Sequence, residues 1–330
     1  MKKTVLFTTI ILSLICFSCD NEPYEGEIFI ADPSTGNPTD PGNGDPTDPV
    51  DPTDPTNPGT TLQLADYDYM KSFSSPLGGE TSFTADFVIN SQNQFTAQNT
   101  SITFLGTTVN GVGAVIRDQN SDVIELRTTV DNILVNRTTV TYNLGKVVEI
   151  AFEDLQDPVD SFTFSFIHNN NEITRTKEGT NFTTKFTFDA TTSKLLKRET
   201  IENGTINKTE IISYDAAGNL TSAVITGQDA NTYTYTYDSN TNPLRNTLND
   251  LYLFSILNDE YDDQYEHWQA VIYSTNNMTV TTTSQGSSNL DVQYDASSRI
   301  TSRSGTIFTS VPTISSDATI TINETFQYVN

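Results

Sequence analysis

Cysteine is almost missing from this chain: Cys16 and Cys19 are its only two, and both lie within the first nineteen residues. A disulfide framework for everything downstream is thereby excluded. Basic residues are scarce, with 17 Lys and Arg against 42 Asp and Glu and a formal net charge of −25. Phosphate contact needs basic patches, so nucleic acid is excluded as a partner. Histidine is limited to His168 and His267. Ser and Cys nucleophiles commonly rely on a His base, and no Gly-x-Ser-x-Gly, His-Glu-x-x-His or Gly-rich phosphate loop occurs. Long apolar runs are also missing, with one exception at the N-terminus.

That run, Val5 to Phe17, follows Lys2-Lys3 and leads into Ser18-Cys19. It is shorter than the roughly 20 apolar residues that span a bilayer, and the layout is that of a secretory signal. Ser18-Cys19 resembles the lipobox cut by lipoprotein signal peptidase, in the loosened form of Bacteroidota lipoproteins. This implies a signal peptide over residues 1–19 and a lipid-modified Cys19. The membrane is then a partner through acyl chains, which gain roughly 0.8 kcal/mol per buried methylene. Asp20, Glu22, Glu25 and Glu27 follow. They resemble the surface-export signal of those lipoproteins and imply an outer-membrane, cell-surface location; the alternative is a generic acidic tether.

Nine of the thirteen prolines precede residue 60, and Asp-Pro-Thr-like triplets repeat from Asp45 to Thr56. Residues 20–60 hold ten acidic side chains and no Lys or Arg. Proline fixes φ and biases its predecessor away from helix, so this linker is expected as an extended stalk. At polyproline spacing, residues 32–59 reach on the order of 80 Å.

From residue 61 to 330 the composition turns to Thr, Ser, Asn, Tyr, Phe, Val and Ile. Period-two alternation is plain in Phe162-Thr163-Phe164-Ser165-Phe166, in Tyr233, Tyr235 and Tyr237 between threonines, and in Ile320 and Ile322. Roughly seventeen such runs predict an all-β domain, an antiparallel meander of hairpins forming a curved sheet, a barrel-like structure or two packed sheets. One turn type recurs at Phe188-Asp189, Tyr214-Asp215, Tyr237-Asp238 and Tyr294-Asp295. Each pair is followed by four or five mostly turn-forming residues and then by Leu195, Leu220, Leu244 or Ile300. The aromatic should end a strand on the core face, the Asp should cap turn N–H groups, and the aliphatic residue should return to the core. Over about 180–302 this resembles the YD (RHS-type) repeat of bacterial surface and toxin-shell proteins. It is closer still to Bacteroidota lipoproteins with a few such repeats, which implies an all-β domain and no established activity.

Between the third and fourth copies, Leu244, Leu248, Leu251, Tyr252, Phe254 and Leu257 have helical spacing. They predict a short amphipathic helix over 244–258 that plugs or caps the sheet. An acidic, aromatic cluster follows. Asp259, Asp262, Asp263 and Glu266 could offer oxygens to a calcium ion. Tyr261, Tyr265 and Trp268 could stack on a sugar. A solvated loop with Trp268 buried is the bland alternative. The sequence thus leads to a lipid-anchored surface module with a non-catalytic scaffolding or binding role, its partner a glycan or another surface protein. A glycan-binding accessory lipoprotein and a glycoside hydrolase are the alternatives.

Overall fold

The computed structural model describes residues 62–74, 80–104, 106–260, 268–284, 286–307 and 319–329. The expected signal peptide, Cys19 and the linker lie outside the described residues.

Alternating β-branched and aromatic residues suit a pleated surface with one buried face, and the chain forms eighteen strands, close to the roughly seventeen runs expected. The first six are β1 (Leu64–Ser74), β2 (Glu80–Ile89), β3 (Phe95–Phe104), β4 (Thr107–Arg117), β5 (Val123–Val130) and β6 (Ile133–Asn143). Then come β7 (Lys146–Asp154), β8 (Phe162–Asn169), β9 (Glu172–Lys177), β10 (Phe182–Phe188), β11 (Leu195–Glu202) and β12 (Thr205–Tyr214). The last six are β13 (Leu220–Gly227), β14 (Asn231–Thr241), β15 (Asn276–Thr283), β16 (Gly286–Tyr294), β17 (Ile300–Ile307) and β18 (Thr319–Tyr328). Each strand pairs antiparallel with the next, and β18 returns to pair with β1 from Leu64↔Tyr328 to Ser74↔Thr319. The sheet is therefore a closed up-and-down barrel with no edge left open. Of the three architectures expected, closure selects the barrel over the open sheet and the two packed sheets.

The pleat sorts side chains by polarity. Tyr67, Tyr69, Phe83, Phe95, Ile150, Phe164, Phe186 and Ile322 all belong to one buried cluster. The opposite faces of the same strands carry Asn99, Ser101 and Thr103 on β3, Glu125, Arg127 and Thr129 on β5, and Asn323, Thr325 and Gln327 on β18, all exposed or half-exposed. Apolar residues on the outside are few, such as Ile133, Ile167 and the cross-strand pair Ile211 and Val224. A membrane-spanning barrel has the reverse alternation, with an apolar band outside and polar groups within. This wall faces water, because carboxylates and guanidinium groups at outward positions are costly in hydrocarbon.

Some charges do go inside. Arg303 on β17 and Glu324 on β18 are buried and joined by two hydrogen bonds, from Nε at 2.5 Å and from Nη2 at 2.8 Å. Tyr67 Oη on β1 donates to the same carboxylate at 2.6 Å. The trio spans β17, β18 and β1, the seam where the barrel closes. Burial pushes the Tyr67 hydroxyl well above its ordinary range, and the Glu324 charge adds to this. Glu324→Gln should therefore leave a buried guanidinium unmatched and lower the unfolding free energy by about 3–5 kcal/mol. Glu324→Leu combined with Arg303→Met removes both charges and should recover most of the loss, with urea unfolding of both variants as the measurement.

Candidate functional site

The connection from β14 to β15 is the long one, and it folds into the barrel. Asn242 starts it: its Oδ1 accepts from Leu244 N at 3.1 Å, while its Nδ2 donates to the carbonyls of Val271, Ile272 and Ser274. With Pro243 preset for a first helical turn, α1 runs Pro243–Leu248. A tight turn follows at Asn249–Leu251, then α2 at Tyr252–Leu257. The helical insert expected over 244–258 is present but broken in two, and α2 is not amphipathic. Tyr252, Phe254, Ser255, Ile256 and Leu257 are all buried, because the insert has barrel wall on every side. Arg117 on β4 pairs with Asp250 at 2.6 Å, Lys177 on β9 with Glu260 at 2.6 Å, and Arg198 on β11 with Asp259 at 2.6 Å. Arg175 on β9 donates to the carbonyls of Leu257 and Asp259. Strands from well-separated parts of the ring thus grip one segment, which can only lie in the lumen.

This placement decides several of the candidate residues. Asp259 is buried, and its carboxylate meets Arg198, which also binds Glu210 at 2.5 Å. It is therefore matched by a guanidinium. Trp268 is half-buried, packed on the core with its ring edge-on to Tyr69 at 5.4 Å between centroids. It is a wall contact of the insert, not an exposed stacking platform. Tyr261, Asp262, Asp263, Tyr265 and Glu266 lie outside the described residues. A different acidic group stands on the outer wall. Asp66 and Asp68 on β1 and Asp86 on β2 bring carboxylate oxygens within 4.8 Å of one another. Burial and then the charges of Asp68 and Asp86 raise the Asp66 carboxyl above its ordinary value.

On the rim at the insert's end of the barrel one turn form recurs, while β6–β7 and β8–β9 join through the shorter turns at Leu144-Gly145 and Asn170-Asn171. Asp189 Oδ1 accepts from Thr191 N and Thr192 N, Asp215 Oδ1 from Asn219 N, and Asp295 Oδ1 from Ser297 N and Arg299 N. Phe188, Leu195, Leu220 and Ile300 reach the core on either side. Tyr237-Asp238 differs: it lies within β14, and Asp238 accepts from Asn240 N and Asn277 N while the chain leaves for the insert. Two further copies went unread in the sequence. Asn90 accepts from Gln92 N and Gln94 N, and Asp118 from Asn120 N and Asp122 N. Their signal is Asx with an apolar residue five positions on, Phe95 or Val123, but Ile89 and Arg117 replace the preceding aromatic. Each turn carries one residue with positive φ: Asn93, Ser121, Ser193, Gly218 and Ser298.

Neighbouring rim turns and α1 enclose a cavity of about 680 Å³ lined by Asp189, Thr192, Lys194, Tyr214, Asp215 and Arg245, among others. Lys194 is buried, its Nζ donating to the Gly218 carbonyl and lying 4.7 Å from the Tyr214 ring centroid. Burial, then the nearby Arg245 charge, pull its pKa down to about 8. Arg245 on α1 donates through Nη1 to Thr275 Oγ1 at 2.7 Å, and its buried Nε has no hydrogen-bond partner. Neither cation forms an ion pair among the described residues. Sequence reading missed both, because a lone Lys in a turn and a lone Arg on a helix carry no spacing signal.

No known protein family matches the chain by sequence, and no curated protein does. Solved structures with a distant likeness to it include the following two. A porin-like protein from Bacteroides uniformis is 13% identical, with 81% of this chain and 98% of that chain covered and a TM-score of 0.47. The TcdB2-TccC3-TEV structure is 10% identical over 71% of this chain and 12% of that chain, with a TM-score of 0.25.

The rim turns set an acid limit on stability. Hydrogen bonds from Thr192 and Thr191 hold the Asp189 carboxyl below its ordinary value. Burial works to raise the Asp215 carboxyl, but hydrogen bonds from Asn219, Gly218 and Ala217 outweigh it and lower it. A depressed carboxyl stabilises the fold above its unfolded value of about 3.9, and this is lost as pH falls through the folded value. Asp215→Asn should cost about 1–2 kcal/mol at neutral pH. It should also flatten the loss of stability below about pH 4, as read by thermal melts across pH.

Proposed function

We propose that the chain is a lipid-anchored cell-surface module of the Bacteroidota type, non-catalytic, holding a rigid β-barrel away from the outer membrane for binding or scaffolding. One observation carries this reading: the barrel has its apolar face inward and an insert pinned in its lumen, so it is neither a lipid-facing wall nor an open pore. Among the described residues no helix is long and apolar enough to cross a membrane. Attachment then falls to Cys19, and reach falls to the Asp/Pro linker. The YD-like turns serve this role as a rim, stiff because each Asx side chain fixes its own loop.

The test uses the full-length protein in a Bacteroidota host. Wild type should incorporate labelled palmitate and stay with the membrane after an alkaline carbonate wash. Cys19→Ala should do neither and should be recovered as folded barrel in the wash. A Cys19→Ala protein that remains in the washed membrane would sink the proposal, because the barrel itself would then be inserted. External protease on intact cells should release the domain by cutting within residues 20–60.

A further inference from the structure

The rim cavity holds two cations, Lys194 and Arg245, whose hydrogen bonds among the described residues all go to neutral oxygens. Three other guanidinium groups inside this protein meet carboxylates: Arg303 meets Glu324, Arg198 meets Glu210 and Asp259, and Arg117 meets Asp250, while Arg175 donates to the carbonyls of Leu257 and Asp259. Lys194 and Arg245 instead sit near each other without an ion-pair partner among the described residues, although the chain carries 42 acidic side chains. Both are anchored from behind by neutral oxygens, Lys194 by the Gly218 carbonyl and Arg245 by Thr275 Oγ1. Thr275 Oγ1 in turn donates to the Ala217 carbonyl at 2.7 Å, so the two anchors belong to one hydrogen-bonded unit. Gly218, at φ +92°, leaves the space that the ammonium occupies: a Cβ there would lie 2.6 Å from Lys194 Nζ and 3.3 Å from Thr275 Oγ1. Two like charges held together in a half-enclosed cavity repel, and Asp215, which favours the charged Lys194, does not outweigh burial and the Arg245 charge.

The rest of the lining narrows the anion. Asp189 and Asp215 border the same cavity. Their negative charge disfavours a doubly charged guest such as phosphate. Their remaining lone pairs, with the hydroxyls of Thr191, Thr192, Ser193 and Ser213, suit a guest rich in hydroxyl groups. A volume of about 680 Å³ is ample for one or two sugar rings. We infer that this cavity binds an acidic sugar, with the carboxylate of a uronic acid between Lys194 and Arg245 and the ring hydroxyls on the turn oxygens. It is a binding site and not a hydrolytic one. Both carboxylates are committed to capping turns and held ionised, whereas glycoside cleavage needs one carboxyl kept protonated. The inference rests on the binding-module reading and supplies its ligand class.

The experiment is calorimetric titration of the full mature chain with galacturonate and glucuronate, with glucose and inorganic phosphate as comparison arms. Saturable binding of a uronate, stronger than that of glucose and of phosphate, is expected. Lys194→Met and Arg245→Gln should each weaken it about ten-fold or more, the loss of one charged hydrogen bond. Lys185→Met, on the outward wall and paired with Glu172, should leave it unchanged. Arg245→Gln keeps the test decisive if Lys194→Met fails to fold, since Arg245 is only half-buried. Phosphate binding as strong as uronate binding, no uronate binding at all, or binding that survives Arg245→Gln would each overturn the inference. None of these outcomes touches the palmitate and carbonate-wash results, so failure of the ligand assignment is separable from failure of the anchored-module reading.

Discussion

Closure of the sheet with its apolar face inward is the constraint from which the rest follows. Eight strands close around a bore that side chains alone can fill, whereas sixteen to eighteen leave room for a channel. With eighteen strands, the inner rings of Tyr, Phe and Ile cannot meet across the middle unaided. An apolar surface around an aqueous bore would forfeit the burial that drives folding. The segment between β14 and β15 resolves this by entering the lumen. Leu244, Leu248, Leu251, Phe254, Ile256 and Leu257 join the same cluster as the wall residues. Each such side chain gains about 1.5–3 kcal/mol by leaving water.

Charges inside this interior fix position more than they add stability. A buried ion pair can be replaced by apolar groups at little loss, so affinity for the lumen comes from the hydrophobic surface of the insert. Hydrophobic contacts, however, allow sliding. The carboxylates of Asp250, Asp259 and Glu260 each meet a cation on a particular strand, β4, β11 and β9 respectively. Three such points in separate parts of the ring admit a single placement of the insert. The Arg303–Glu324–Tyr67 group does the same for the seam, where a slip of one residue would turn the alternation inside out.

Much of the fold was legible because strands with one wet face write their burial into every second residue. The strand set, the hairpin order and the capping role of Asp189, Asp215 and Asp295 could all be read locally. Closure could not, since nothing in the sequence of β1 names β18 as its neighbour. The buried charges were half-legible. Glu324 lies in phase with Ile320, Ile322 and Phe326, so its inward direction follows from period two, but its partner Arg303 lies on another strand. Asp259, at the start of the acidic cluster after α2, was half-legible for a related reason. Asp259 looks like part of a solvated acidic run, and only the tertiary position of Arg198 shows that it is neutralised. The Lys194–Arg245 cavity was invisible, because it is assembled from two turns and a helix brought together by the ring.

Pairing the first strand to the last also orders events in time. Tyr67 finds Glu324 at a separation of 257 positions along the chain, so no stretch emerging from a ribosome or a secretion channel can complete the barrel before β18 arrives. Until then the growing sheet has two free margins, and contacts of such long range form slowly. A chain built this way is suited to travelling across a membrane unfolded and to closing once on the far side. Charged side chains such as Asp66 and Asp68 on β1 then keep the waiting margin from adhering to that of another copy.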